Sequence, residues 1–117
     1  MINFHDEPEL TRQRQNVVSV AQAMLDSQLG IIDGSRRLCA LRSRVSPLDH
    51  DSDFLPFIGI DSETDHFPIG EVRQHWAAEA LAGKDAELRA AEQRYCELAL
   101  SGCRHLVERF SASAHRA

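Results

Sequence analysis

Asp61-Ser62-Glu63-Thr64-Asp65-His66 puts three carboxylates and an imidazole within six consecutive residues. Carboxylates bind hard divalent cations and imidazole binds borderline ones. The same groups can also act as a general acid–base pair. His75 is close enough in the chain to join Glu63 and His66 if the segment folds back. Neighbouring loop residues usually point in different directions, however, and structural uses exist for each of these. Ser62, Thr64 and Asp65 are turn formers, and Glu63 can reach an arginine such as Arg36 or Arg37. Structural or partner-binding roles therefore outweigh catalysis or metal binding here.

Asp49-His50-Asp51-Ser52-Asp53 has acids at alternate positions, as a calcium loop does. That loop needs Gly at its sixth position and a bidentate Glu at its twelfth. This chain has Phe54 and Ile60 there, so the match fails, and a turn with Asp side chains accepting from local N–H groups is the better reading. The six histidines (His5, His50, His66, His75, His105 and His115) show no HExxH, HxH or HxxxH spacing. GxSxG, P-loop and GxGxxG patterns are also missing.

The carboxylates matter more together than singly. Between Ser46 and Val72 lie Asp49, Asp51, Asp53, Asp61, Glu63, Asp65 and Glu71, with no Lys or Arg. The chain has 18 acidic and 13 basic residues, so the net charge of -5 is a stretch at -7 on a body at +2. Phe54, Phe57 and Phe67 stand in the same stretch beside Ile58, Ile60 and Ile69. A connection this long is functional, self-packed or disordered, and the apolar content argues against disorder. The expectation is an ordered loop laid over helices, with Phe54, Phe57, Ile60 and Phe67 turned inward.

One domain fits 117 residues. No apolar run approaches the roughly 18 residues that span a bilayer. MINFHDEPEL lacks a basic n-region followed by an apolar h-region, so it is not a signal peptide. Cys39, Cys96 and Cys103 form an odd set without CxxC, which suits free thiols in a reducing cytoplasm. A pI near 5.6 argues against non-specific nucleic-acid binding and permits a basic partner. Arg36, Arg37, Arg42 and Arg44 make a basic edge better suited to neutralising the acidic stretch.

The elements that position these groups read as helices. Pro8, among Asp6, Glu7 and Glu9, suits a first turn. Val17, Val18, Ala21, Met24 and Leu25 then follow helical spacing. Asp26 or Ser27 can cap a second helix, which carries Ile31, Ile32, Leu38, Cys39, Leu41 and Val45 and stops before Pro47. Gly30 and Gly34, four apart, allow another helix to approach closely, or else are a local weakness. Val72 and Trp76 suggest a short helix interrupted by Ala82-Gly83-Lys84-Asp85. The last helix has a stripe of Leu88, Ala91, Tyr95, Leu98, Ala99, Gly102, Cys103, Leu106 and Phe110.

Two strings in these elements carry a resemblance. Gly30-Ile31-Ile32-Asp33-Gly34 with Arg36-Arg37-Leu38, and the run from Phe54 to Asp65, resemble a phrase found in small bacterial all-helical proteins of uncharacterised activity. The resemblance implies a helical fold, attaches no activity, and transfers no functional residue.

The expected fold is all-α. It is a single domain over residues 1–117, built as a small bundle of three main helices near 9–27, 29–44 and 84–110. A short helix near 71–80 and the long acidic, aromatic loop complete it, with frayed ends at 1–7 and 111–117. The leading functional expectation is a non-enzymatic cytoplasmic protein-binding protein. Its most concrete form is a bacterial immunity or antitoxin-type protein. Asp49, Asp51, Asp53, Asp61, Glu63 and Asp65 would then meet a basic partner such as a toxin, with Phe67 and Trp76 as apolar anchors. No catalytic residue, metal ligand or cofactor is assigned, and nucleic acid and membrane are not expected partners. The alternatives are a small metal-dependent enzyme or metal-binding protein using residues 61–66, and a regulatory helical module that assembles with copies of itself.

Overall fold

The first helix forms where Pro8 and the acids Glu7 and Glu9 favour helix initiation. The computed structural model describes residues 7–46 and 51–114. Helix α1 spans Glu7–Leu25 and buries Leu10, Gln13, Val17, Ala21 and Met24, one face at three- and four-residue spacing. It ends in a Schellman closure. The Gln28 N–H donates to the Ala23 carbonyl at 2.8 Å and the Ser27 N–H to the Met24 carbonyl at 3.2 Å. Ser27 occupies the left-handed position at φ 59°, so Asp26 and Ser27 close α1 and do not cap the next helix.

Helix α2 spans Ile31–Val45, with Gly30 at its N-cap. Glycine has no side chain to cap with, and the acceptor comes from far along the chain instead. Glu92 Oε2 accepts from the Ile31 N–H at 2.7 Å and Oε1 from the Ile32 N–H at 3.2 Å. A carboxylate there satisfies orphan donors and complements the helix dipole. A Cβ on Gly30 would lie 3.1 Å from Glu92 Oε1, and one on Gly34 only 2.3 Å from Met24 Sδ. The two glycines thus admit a side chain from α4 and one from α1. Helices α1 and α2 form an antiparallel hairpin, with Met24 over Gly34 near the turn and Arg44 in electrostatic reach of Glu9 at the other end.

The expected long loop contains a helix. Helix α3 spans Leu55–Thr64, with Pro56 in its first turn, and buries Phe57, Ile60 and Thr64. Its N-cap residue Phe54 and the following Phe67 are buried as well. The four residues expected to face inward do so, from a helix and its flanks. Arg36 caps the far end. Its guanidinium donates to the Thr64 carbonyl and, at 3.0 Å, to the Phe67 carbonyl, placing a cation on a helix C-terminus.

A 3-10 helix, Gly70–His75, replaces the expected short α-helix. Helix α4 then runs unbroken from Ala78 to Ala114, starting six residues earlier than the spacing suggested. Gly83 does not interrupt it, because one interior Gly costs only about 1 kcal/mol against Ala and alanines and charged helix formers surround it. Thirty-seven residues at about 1.5 Å each make some 55 Å, which accounts for the longest dimension of 51 Å.

Helix α4 organises the fold. It packs against α1, α2 and α3, while α2 lies between α1 and α3. Ala91, Ala99, Gly102, Cys103, Leu106 and Phe110 are its buried positions. Gly102 lets the Phe57 ring approach, since a Cβ there would sit 2.7 Å from Cζ. Leu98, expected on the buried stripe, is 50% exposed. The described residues are all helix, turn or irregular, with no strand among them. The expected fraying falls mainly on residues 1–6 and 115–117, outside the described residues. Glu7 and residues 111–114 are helical.

Candidate functional site

Folding divides the acidic stretch into two environments. At its start the Asp51 carboxylate accepts from the Asp53 N–H at 3.1 Å, which closes a small turn. Arg109, five residues before the described end of α4 and stacked 4.6 Å from the Phe110 ring centroid, reaches both acids. Its Nη1 lies 3.0 Å from both Asp51 oxygens and 2.8 Å from Asp53 Oδ2. Asp51 is 7% exposed. Burial alone would raise its pKa, but hydrogen bonds from Ser46, the Asp53 N–H and Arg109, with the charge of Arg109, hold it below the usual aspartate range. Asp49 lies outside the described residues.

At the other end the acids line the surface of α3 and the turn after it. Asp61 is 3.6 Å from Arg36 Nε, so the arginine that reaches this segment meets Asp61 and the helix end, not Glu63. Glu63, Asp65 and Glu71 are exposed, and among the described residues they make no ion pair. Of the two expected anchors, Phe67 is buried, with its ring 4.2 Å from that of His66. Trp76 is half-buried at the end of the 3-10 helix. Arg73 of that helix grips Asp85 of α4 at 2.8 and 2.9 Å. Through that hydrogen bond the Asp85 carboxyl is held below its ordinary value.

Two depressions flank Tyr95 on the side of α4 that meets α3. A cleft of about 260 Å³ holds Glu63, His66, Glu87 and Arg94. A shallower groove of about 560 Å³ is lined by Leu55, Pro56, Gly59, Ile60, Ser62, Glu63, Tyr95 and Leu98. Leu55 is 46% exposed and Leu98 50%. Sequence reasoning missed this groove. The available signal was that Leu55, Gly59 and Glu63 recur every four residues, once the segment is read as a helix opposite to Phe57, Ile60 and Thr64.

The chemistry offered by this face is apolar contact beside negative charge. Among the described residues no three His, Cys, Asp or Glu side chains come together as a group that could hold a metal ion. That includes Asp61, Glu63, Asp65 and His66. The thiols lie elsewhere. Burial pushes Cys39 up to about 11 and Cys103 up to about 12, and Cys103 Sγ donates weakly to Met24 Sδ at 3.5 Å. Both are packing groups with little thiolate at neutral pH. No described helix is long and apolar enough to cross a membrane.

Comparison with curated proteins and with solved structures returns no match. The profile of one family of proteins of unknown function, DUF2489, matches residues 5–106. That match takes in the Glu92-capped start of α2, all of α3 and the groove between α3 and α4, and the chain belongs to the DUF2489 family.

Proposed function

We propose that this protein is a non-enzymatic binding protein whose partner seats on the α3–α4 face. The observation that carries this reading is Leu55 and Leu98, two half-exposed leucines lining one groove with Glu63. Apolar side chains clustered on a surface beside charge mark protein-contact sites. The polar rim sets encounter and register, and the apolar centre sets dissociation. In its most concrete form the protein is an immunity or antitoxin-type protein of the bacterial cytoplasm. There it would occupy a basic cleft of a toxin, with Glu63 and Asp65 supplying the charge and Asp61 sharing its own with Arg36. Asp51 and Asp53 are already engaged by Arg109 and hold the fold together.

The test compares wild-type protein with a Leu55→Asp, Leu98→Asp variant as immobilised bait in host lysate, followed by kinetics on the captured protein at two salt concentrations. A basic protein retained by the wild type alone, associating more slowly as salt rises, is the expected result. A partner held equally by both baits, or one indifferent to salt, removes this face from the reading.

A further inference from the structure

Resting on that protein-binding reading, we infer that the α3–α4 groove takes an amphipathic α-helix of the partner, apolar on the face that enters the groove and basic along its edge. The argument begins with the floor. Leu55, Pro56, Gly59 and Ile60 from α3 line it with Tyr95 and Leu98 from α4. Gly59 leaves a gap in this lining, because a Cβ built there meets nothing within 4 Å. A partner backbone can therefore approach α3 closely at that point, as small residues permit between packed helices.

Length and backbone chemistry select a helix. Leu55 and Glu63 are eight residues apart, about 12 Å along α3 at 1.5 Å per residue. That matches the span of anchors at i, i+3 or i+4, and i+7 on a bound helix. Adding a strand needs an exposed sheet edge, and the described residues contain no strand. A polyproline segment needs a groove walled by several aromatics, and this one has Tyr95 alone.

Charge complementarity selects a basic edge. Glu63 is the charged residue in the lining, and Asp65, the C-cap residue of α3, is exposed. Glu97, beside Leu98 on α4, is exposed as well. Arg94 lines the neighbouring cleft rather than this groove, its guanidinium carbon 5.9 Å from the Tyr95 ring centroid. Lysines or arginines along one edge of the incoming helix would lie against Glu63, with Asp65 or Glu97 beyond it.

The probe is a labelled synthetic helix with leucines at i, i+4 and i+7 flanked by lysines, and its counterpart with glutamates in place of the lysines. The protein is used as wild type, Gly59→Leu and Glu63→Lys. Gly59→Leu fills the groove at an exposed, open position and raises helix propensity, so its melting temperature should not fall. The lysine helix should bind the wild type and weaken by roughly tenfold or more with either variant, as loss of a central contact does. The glutamate helix should not bind. Equal binding of the lysine helix to wild type and Gly59→Leu would overturn the inference, as would equal binding of the two helices. So would a concentration-dependent wild-type dimer in sedimentation that Gly59→Leu abolishes, since the groove would then be covered by a second copy. If the Leu55→Asp, Leu98→Asp bait loses a host protein but Gly59→Leu and Glu63→Lys both keep it, this inference fails and the protein-binding reading stands. If no host protein depends on the two leucines, the reading itself fails.

Discussion

Asp51 and Asp53 stand at one end of the acidic stretch, and Glu63 and Asp65 stand at the other, beyond α3. The first pair meets Arg109, brought from more than fifty residues away, and Asp51 is only 7% exposed. The second pair is exposed and makes no ion pair among the described residues, and Glu63 borders a groove floored with apolar side chains. Equal residue types thus do different work. A carboxylate that receives a base from another segment fixes the fold, and one left at the rim of an apolar surface is available to something outside it. Helix α3 shows the same division across its width, with Phe57 wholly buried on one side and Leu55 and Gly59 open on the other.

The largest test of that division is Phe57. Phe57→Ala should cost about 3–5 kcal/mol, the range for truncating a buried phenylalanine. Leu55→Ala should change stability by no more than about 0.5 kcal/mol, as at an ordinary surface site. Urea melts measure both, and a loss below about 1 kcal/mol for Phe57→Ala would erase the difference between the two faces.

Arg109 comes next. Arg109→Ala strips a nearly buried carboxylate of its charged donor, which should cost about 1–3 kcal/mol. The pH dependence has a definite sign. The folded Asp51 carboxyl sits below its ordinary value, so it contributes stability at neutral pH. That contribution fades as pH falls from the unfolded value of about 3.9 through the lower folded one. The stability gap between wild type and Asp51→Asn should therefore be full at pH 7 and shrink on acidification below about pH 4. A gap that grows in acid would contradict the assignment.

Glu92 supplies a smaller effect at a boundary that local sequence left uncapped. Glu92→Ala should cost about 1 kcal/mol, as loss of an N-cap acceptor does, and amide exchange should speed up at Ile31 and Ile32. Ser27→Gly should move the other way, gaining roughly 0.5–1 kcal/mol by relieving a left-handed residue. The smallest stability effect belongs to Glu63. Glu63→Gln should leave the melt unchanged within about 0.5 kcal/mol and show itself in slower partner association at low salt. A clear destabilisation would mean that Glu63, like Asp51, serves the fold.

Much of the fold was legible because local periodicity reports burial. Val17, Ala21 and Met24 on α1, and Ala99, Cys103 and Leu106 on α4, recur at three- and four-residue spacing and are buried as that spacing implies. The break at residues 26–30 was legible too, although its device was not. A Schellman closure needs only one residue to turn left-handed, and Ser27 does so without a glycine to mark it. Local sequence argues for a loop over α3, because Pro56 and Gly59 act as punctuation and β-branched Ile58 and Ile60 favour strands. Burial of Phe57, Ile60 and Thr64 against α2 and α4 outweighed those preferences. The candidate site was harder still. Its acids were visible as a run, but Leu98 sat on the stripe expected to be buried, and nothing local distinguished it from Leu106.

The apolar faces of α1, α2 and α4, the break between α1 and α2, and the inward turn of Phe54, Phe57, Ile60 and Phe67 were determined by sequence alone, because side-chain period and apolar spacing are properties of consecutive residues. The partners of the charges were decided only in three dimensions. Arg109 on Asp51 and Asp53, Glu92 on the start of α2 and Arg36 on the end of α3 each join segments 28 to 61 residues apart. A charged side chain carries no local sign of which distant donor or acceptor will reach it. The same holds for the groove, since an exposed leucine differs from a buried one only in whether another helix happens to cover it.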